Sequence, residues 1–168
     1  DAWDVQNKTR PIGWSVVDGV MTNTPPANNL ISKQKFQDFR IHAEYKLEQK
    51  SNSGIYLRGR YELQVLDSFA SKTYVNGQAG SIYKQHIPLA NAMRKPGEWQ
   101  SYDIIFTAPR FGKDGELERP AYVTVLHNGV VVHHATAFWG PTRHRSVLPY
   151  TADMEKGPLA LQDHGNHV

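Results

Sequence analysis

The feature that most constrains this chain is an Asn-Gly pair between two β-branched runs. Tyr122–Val123–Thr124–Val125–Leu126–His127 leads into Asn128–Gly129, and Val130–Val131–Val132–His133–His134 follows. A two-residue loop of this composition calls for a type I′ turn, in which both turn positions take positive φ and the flanking strands pair antiparallel. The register then sets His127 opposite Val130, Val125 opposite Val132 and Val123 opposite His134. Apolar residues on both faces predict a central place in a sheet. Further strand signals surround this hairpin. Trp14–Val17 and Val20–Thr22 flank Asp18–Gly19, a second turn signal. Phe39 to Leu47 alternates, with Phe39, Ile41, Ala43, Tyr45 and Leu47 on one face and Arg40, His42, Glu44 and Lys46 on the other. Trp99–Thr107 and Leu159–Gly165 read as strands too. Helical periodicity is hardly visible, so the expectation is an all-β sandwich or barrel. At 168 residues the chain reads as one domain over 1–168, large enough to bury its core without staples.

A denser chemical signal lies in Ser51 to Ser68, SNSGIYLRGRYELQVLDS. Two alternating runs, Ile55–Arg58 and Tyr61–Leu66, join at Gly59–Arg60. With Ile55, Leu57, Leu63 and Val65 facing a core, Tyr56, Arg58, Glu62 and Gln64 are displayed together on the other face. A ring, a guanidinium, a carboxylate and an amide on one rigid sheet make a polar binding surface. The plainer reading is a solvated face with Arg58 paired to Glu62.

The longest stretch without periodicity is Phe69 to Gly97, punctuated by Asn76–Gly77, Gly80, Pro88 and Pro96–Gly97. Loops of that length in a compact domain are usually functional or disordered. Tyr74 and Tyr83 favour an arm folded over a sheet face. A second loop, Trp139 to Gly157, carries the basic cluster Arg143–His144–Arg145. His133 and His134 point to opposite faces of a strand and so do not share an ion. The eight histidines show no zinc spacing, and the absence of cysteine excludes disulfides and thiolate sites. A net charge of +3 without a basic stripe argues against nucleic acid, and no apolar run is long enough for a membrane span. The 18 aromatic residues (4 Trp, 8 Tyr and 6 Phe) leave some rings over for a sugar-binding surface, beyond those a core consumes.

NSGIYLRGRYELQVLDS, together with Asp18–Gly19, Leu30–Tyr45, Ala79–Tyr83 (AGSIY), Pro96–Trp99 (PGEW), Asn128–Gly129, Gly140–Thr142 (GPT) and Leu161–Gly165 (LQDHG), resembles the bacterial 3-keto-disaccharide (3-keto-glycoside) hydrolase domain family. The motifs occur in the family's order and cover nearly the whole chain. The resemblance implies a concanavalin A-like jelly roll of two antiparallel sheets, with the active surface on the concave one. It further implies a carbohydrate substrate and a periplasmic or extracellular bacterial setting. Two departures stand out. Family members carry another strand after LQDHG, where this chain ends at Val168, and the Thr142–Gly157 loop is longer and more basic than the family pattern.

Jelly-roll glycosidases of the laminarinase type carry E-x-D-x-x-E on one strand; the corresponding residues here are Glu62, Gln64 and Asp67. Glu62 and Asp67 fall on opposite faces of a regular strand, which argues against a double displacement needing two carboxyl groups about 5 Å apart. A 3-keto sugar offers elimination instead, since its carbonyl acidifies the C2 hydrogen. The roles this implies are Glu62 or Glu44 as base, Arg58 as enolate clamp and His164 as acid or shuttle. Tyr56, Gln64, Tyr83 and Gln162 would bind the sugar. A divalent cation held by carboxylates and His164 is the alternative electrophile, and no other cofactor is expected. The rival class is a non-catalytic, lectin-like carbohydrate-binding module; oligomeric state stays open.

Overall fold

A computed structural model describes residues 2–72, 75–152 and 156–165. Tyr74, residues 153–155 and the end of the chain at Val168 lie outside the described residues. The strands in order are β1 (Trp3–Val5), β2 (Trp14–Val17), β3 (Val20–Asn23), β4 (Leu30–Phe36) and β5 (Phe39–Tyr45). The middle of the chain gives β6 (Asn52–Leu57), β7 (Tyr61–Leu66), β8 (Gln100–Thr107), β9 (Arg110–Phe111) and β10 (Leu117–Arg119). Last come β11 (Tyr122–His127), β12 (Val130–Ala137), β13 (Thr142–Arg143), β14 (Ser146–Val147) and β15 (Gly157–Leu161). No helix occurs among the described residues.

Two antiparallel sheets make a jelly-roll sandwich of the concanavalin A-like class. One has five strands in the order β1-β4-β15-β6-β7, the other four in the order β12-β11-β8-β5. Alternation dictates what they enclose. Ile55, Leu57, Tyr61, Leu63 and Val65 from β6 and β7 meet Tyr102, Ile104, Phe106, Val123 and Val125 from β8 and β11, all buried. Tyr61 lies against both Phe106 and Phe138, with ring centroids 5.5 and 4.7 Å apart. The other face of β6 and β7 is thereby committed to Asn52, Gly54, Tyr56, Glu62 and Gln64.

The Asn128–Gly129 turn forms with both residues at positive φ, and His127 opposes Val130. Beyond it the pairing departs from simple expectation. Val125 faces His133 instead of Val132, and Val123 faces Thr136 instead of His134. The cause is two register shifts on β12, one at Val132 and one near Ala135, which takes φ 44° and donates its N–H to Thr124 Oγ1. The extra residue at Val132 leaves His133 buried as well, with its Nε2 2.7 Å from the Gly80 carbonyl. The hairpin is also not wholly central: β11 is interior, but β12 is an edge.

That edge is covered by the long segment after β7. Ile82 bridges to Leu63, Gly80 reaches His133, and the Leu89 N–H reaches Val132 O. The arm therefore seals one side of the sandwich between β7 and β12. On the opposite side β5 pairs only with β8, and a cavity of about 740 Å³ opens between the sheets, lined by Trp3, Trp14, Ile41, Ile55, Trp99 and Leu161 among others.

Candidate active site

The site is built on β7. Its outward backbone groups at Glu62 and Gln64 are taken: the Glu62 carbonyl accepts from Tyr83 N–H, Glu62 N–H donates to Thr142 Oγ1 at 3.1 Å, and Gln64 exchanges bonds with Ser81 and Gly80. Tyr102 crosses from the other sheet to donate its hydroxyl to the Gln64 carbonyl at 2.8 Å. A strand held on every side keeps the side chains at Glu62 and Gln64 in fixed positions. β6 lies beside it with Gly54 opposite Gln64 and Tyr56 opposite Glu62. β15 adds the next row, Ala160 opposite Tyr56, and the chain leaves it through Gln162.

Above these strands is a polar cavity of about 170 Å³ lined by Asn52, Tyr56, Glu62, Gln64, Tyr83, Thr142, Arg143, His144, Gln162 and His164. Glu62 is only 5% exposed. Burial pushes its carboxyl up to about 7, opposed by a hydrogen bond from the Tyr56 hydroxyl. Tyr56 in turn is pushed upward by its own burial and then by the neighbouring Glu62 charge. The Gln162 amide donates to the Tyr56 hydroxyl at 3.4 Å, so amide, phenol and carboxylate form one chain. Gln64 donates to Asn52 Oδ1 at 2.6 Å. Its own Oε1 is buried and takes no hydrogen bond from the described residues. Gly54 supplies the floor. A Cβ there would stand 2.8 Å from Glu62 Oε1 and 3.4 Å from Gln162 Oε1, so the missing side chain is what lets both groups converge.

Six of the eight residues singled out from the sequence line this cavity: Glu62, Tyr56, Gln64, Tyr83, Gln162 and His164. Two do not. Arg58 is not on the polar face, because β6 ends one residue earlier. Arg58 and Gly59 both take positive φ, 56° and 66°, and turn the chain. The guanidinium is carried to the end of the sandwich, into a separate cavity of about 270 Å³ with Gln37, Arg60, Arg110 and Tyr150. Glu44 stands on the other sheet, on the outer face of β5, with its side chain 67% exposed and 3.9 Å from His42. His42 also meets Asp103 at 2.8 Å. These are solvated surface pairs.

Thr142, Arg143 and His144 come from a short hairpin, β13–β14, that folds across β7 from about 80 residues away in sequence. The motif GPT and the basic cluster are visible in the sequence, but nothing local says where they land. A cation site finds little support in the donor set. Among the described residues Glu62 is the one carboxylate that lines the cavity, and no group of three or more His, Asp or Glu is arranged to hold a metal.

The fold and the site are those of a two-sheet jelly roll that holds a buried acid, a phenol and amides above one sheet. The chain belongs to the family of 3-keto-alpha-glucoside-1,2-lyase-like domains, whose profile matches residues 1–168. Among solved structures it is similar to a “putative glycosyl hydrolase” of Parabacteroides distasonis ATCC 8503, with 46% identity and a TM-score of 0.85. That match covers 98% of this chain and 72% of that one. Two further structures from the same organism carry the same description. They share the fold at 20% and 22% identity, with TM-scores of 0.65 and 0.66, over 99% of this chain and 94% and 83% of theirs. No curated protein matches the sequence.

Proposed function

We propose that this glycoside hydrolase-like domain cleaves 3-keto-glycosides by elimination across C1 and C2, with Glu62 as the base. The observation that carries this reading is a single buried carboxyl, pushed up to about 7, at the centre of a polar cavity. A general base works best with a pKa near the working pH, and a lone carboxyl suits proton abstraction from carbon better than it suits a two-carboxylate displacement.

In the proposed reaction Glu62 takes the C2 proton, and the C–H electron pair moves into C2–C3 as the C3 carbonyl becomes an enolate. When the carbonyl re-forms, the C1–C2 double bond forms and the C1–O bond breaks. The leaving oxygen takes that electron pair and a proton, from His164 or the protonated Glu62. Water added across the enone returns the 3-keto sugar, so the net result is hydrolysis. Gln64, Gln162 and Tyr83 hold the ring hydroxyls.

The test is incubation with 3-keto-trehalose, a 3-keto-glucoside and their unoxidised parents. Release of free sugar or alcohol from the keto compounds alone, lost in Glu62→Gln, is the expected result. Equal cleavage of the parents would overturn the elimination route. Binding of all four without turnover would favour a carbohydrate-binding module.

A further inference from the structure

Proton abstraction next to a carbonyl needs a group to take up the charge on the oxygen, and Arg58, the cation that the sequence offers for this role, lies in another cavity. The cavity above Glu62 contains one other guanidinium. We propose that Arg143 is a catalytic residue, delivered by the β13–β14 hairpin to stabilise the enolate oxygen opposite Glu62. This rests on the elimination reading above.

Several observations converge on it. Arg143 lines the same cavity as Glu62, Tyr56 and Gln64, and no lysine does. The residue before it is bolted to the base's own backbone: Thr142 Oγ1 accepts the Glu62 N–H at 3.1 Å, and Thr142 N–H donates to Arg60 O at 2.7 Å. The hairpin root is closed by Leu148 N–H to Pro141 O at 2.8 Å, and Gln85 fastens the approach through Gly140 O and Trp139 N–H. A Cβ on Gly140 would overlap the Leu148 carbonyl, so the strands cross there only because that residue is glycine. Beyond this root the tip turns at His144 and Arg145, the latter at φ 60°. Arg143 is thus a charged side chain on a fixed root, lining a site in which the described residues place no other Arg or Lys. The same placement brings Arg143 and His144 of the basic cluster into the cavity lining. A fixed donor aimed at a developing oxyanion is worth about 10²–10³-fold in rate.

The experiment separates enolate formation from cleavage. 3-Keto-1,5-anhydroglucitol has no exocyclic leaving group at C1, so exchange of its C2 hydrogen in D2O, followed by NMR, reports abstraction and enolate stabilisation without glycosidic cleavage. The wild-type domain is expected to catalyse exchange, and Arg143→Ala to lose it about 100-fold, with partial rescue by millimolar guanidinium and partial retention in Arg143→Lys. Cleavage of 3-keto-glucosides should fall in parallel, in kcat more than in KM. Exchange within twofold of wild type in Arg143→Ala, or a loss confined to KM, would overturn the assignment. Arg143 is exposed, and an unchanged melting curve for the alanine variant verifies that the loss is local. Glu62→Gln distinguishes the two readings: if it keeps exchange, Glu62 is not the base, whereas if it loses exchange and Arg143→Ala does not, only the Arg143 role falls. A wild-type domain inert toward both probes would sink both.

Discussion

The two sheets of this sandwich each present an acid that sequence alternation marks out, and they treat it in opposite ways. On the five-stranded sheet, Glu62 is enclosed by Tyr56, the arm that carries Tyr83 and the β13–β14 hairpin. On the four-stranded sheet, Glu44 stands in solvent beside His42 and Asp103. The strands are similar in length and periodicity. What differs is the chain laid over them. The long loops end on β7, while among the described residues nothing comparable encloses Glu44 on the outer face of β5, and the burial of the two carboxyls follows that cover. A carboxylate in water keeps its hydration; under two loops, burial pushes the Glu62 carboxyl up to about 7, which is what the proposed role as base requires.

The largest expected effect tests that contrast. Glu62→Gln should lower kcat toward 3-keto-glycosides about a thousandfold, in the middle of the range for a positioned general base, whereas Glu44→Gln should stay within twofold. Steady-state assays of both variants decide it. Comparable losses in the two would erase the distinction between the sheets.

Next in size is the dependence of stability on pH, where the sheets are predicted to act on different limbs. Glu62 is pushed up to about 7 by burial, so the folded state binds its proton more tightly than the unfolded chain does. Stability falls as pH rises from about 4.5 to 7. His127 and His133, buried in the four-stranded sheet, are each pushed down to about 4, first by burial. Their folded state prefers the neutral ring, so stability is lost as pH falls from 6.5 to 4. Each shift corresponds to about 3 kcal/mol. Urea denaturation should find Glu62→Gln more stable than wild type at pH 8, with the gap closing toward pH 4.5 and the acid limb unchanged. A variant no more stable at pH 8 would mean that the carboxyl is not held in a poorly solvating site.

The legible part of this site was the part carried by a single strand pair. Tyr56, Glu62 and Gln64 follow from period two and an apolar opposite face, whereas Gln162 and His164 line the cavity from just past β15, where the strand expected to reach Gly165 stops at Leu161. Arg58 fails by one residue. A non-glycine residue at positive φ is uncommon, so the alternation carries Arg58 onto the face until the turn at φ 56° removes it. Glu44 fails for another reason: alternation says which face a side chain takes, never which sheet the strand joins. Thr142, Arg143 and His144 arrive through contacts about 80 residues apart, and no local pattern encodes that. The two register shifts on β12, at Val132 and near Ala135, were hidden as well, since the Asn-Gly turn fixes register only until a residue is inserted.

A smaller effect probes how Glu62 is held. Gly54→Ala places a Cβ 2.8 Å from Glu62 Oε1. The carboxylate is the end of a flexible side chain, so it can move aside with little change in melting temperature. A displaced base still loses rate, and about 10-fold in kcat is expected. Full activity would show that the site tolerates a shifted base, and would weaken the claim that enclosure sets its position.

The smallest change expected is also the most specific. A phenol is what the acid on the other sheet lacks, and the Tyr56 hydrogen bond acts against burial by favouring the charged carboxylate. Tyr56→Phe leaves burial unopposed, so the Glu62 carboxyl should titrate higher than in the wild type. The rising limb of the kcat/KM profile then moves to higher pH. The rate deficit is largest at and below neutrality and shrinks as the buffer becomes alkaline enough to ionise the base. A deficit constant across pH, relieved by substrates with better leaving groups, would instead identify the Tyr56 hydroxyl as the proton donor to the departing oxygen. The shape of one pH profile thus decides whether Tyr56 tunes the base or takes part in the bond cleavage.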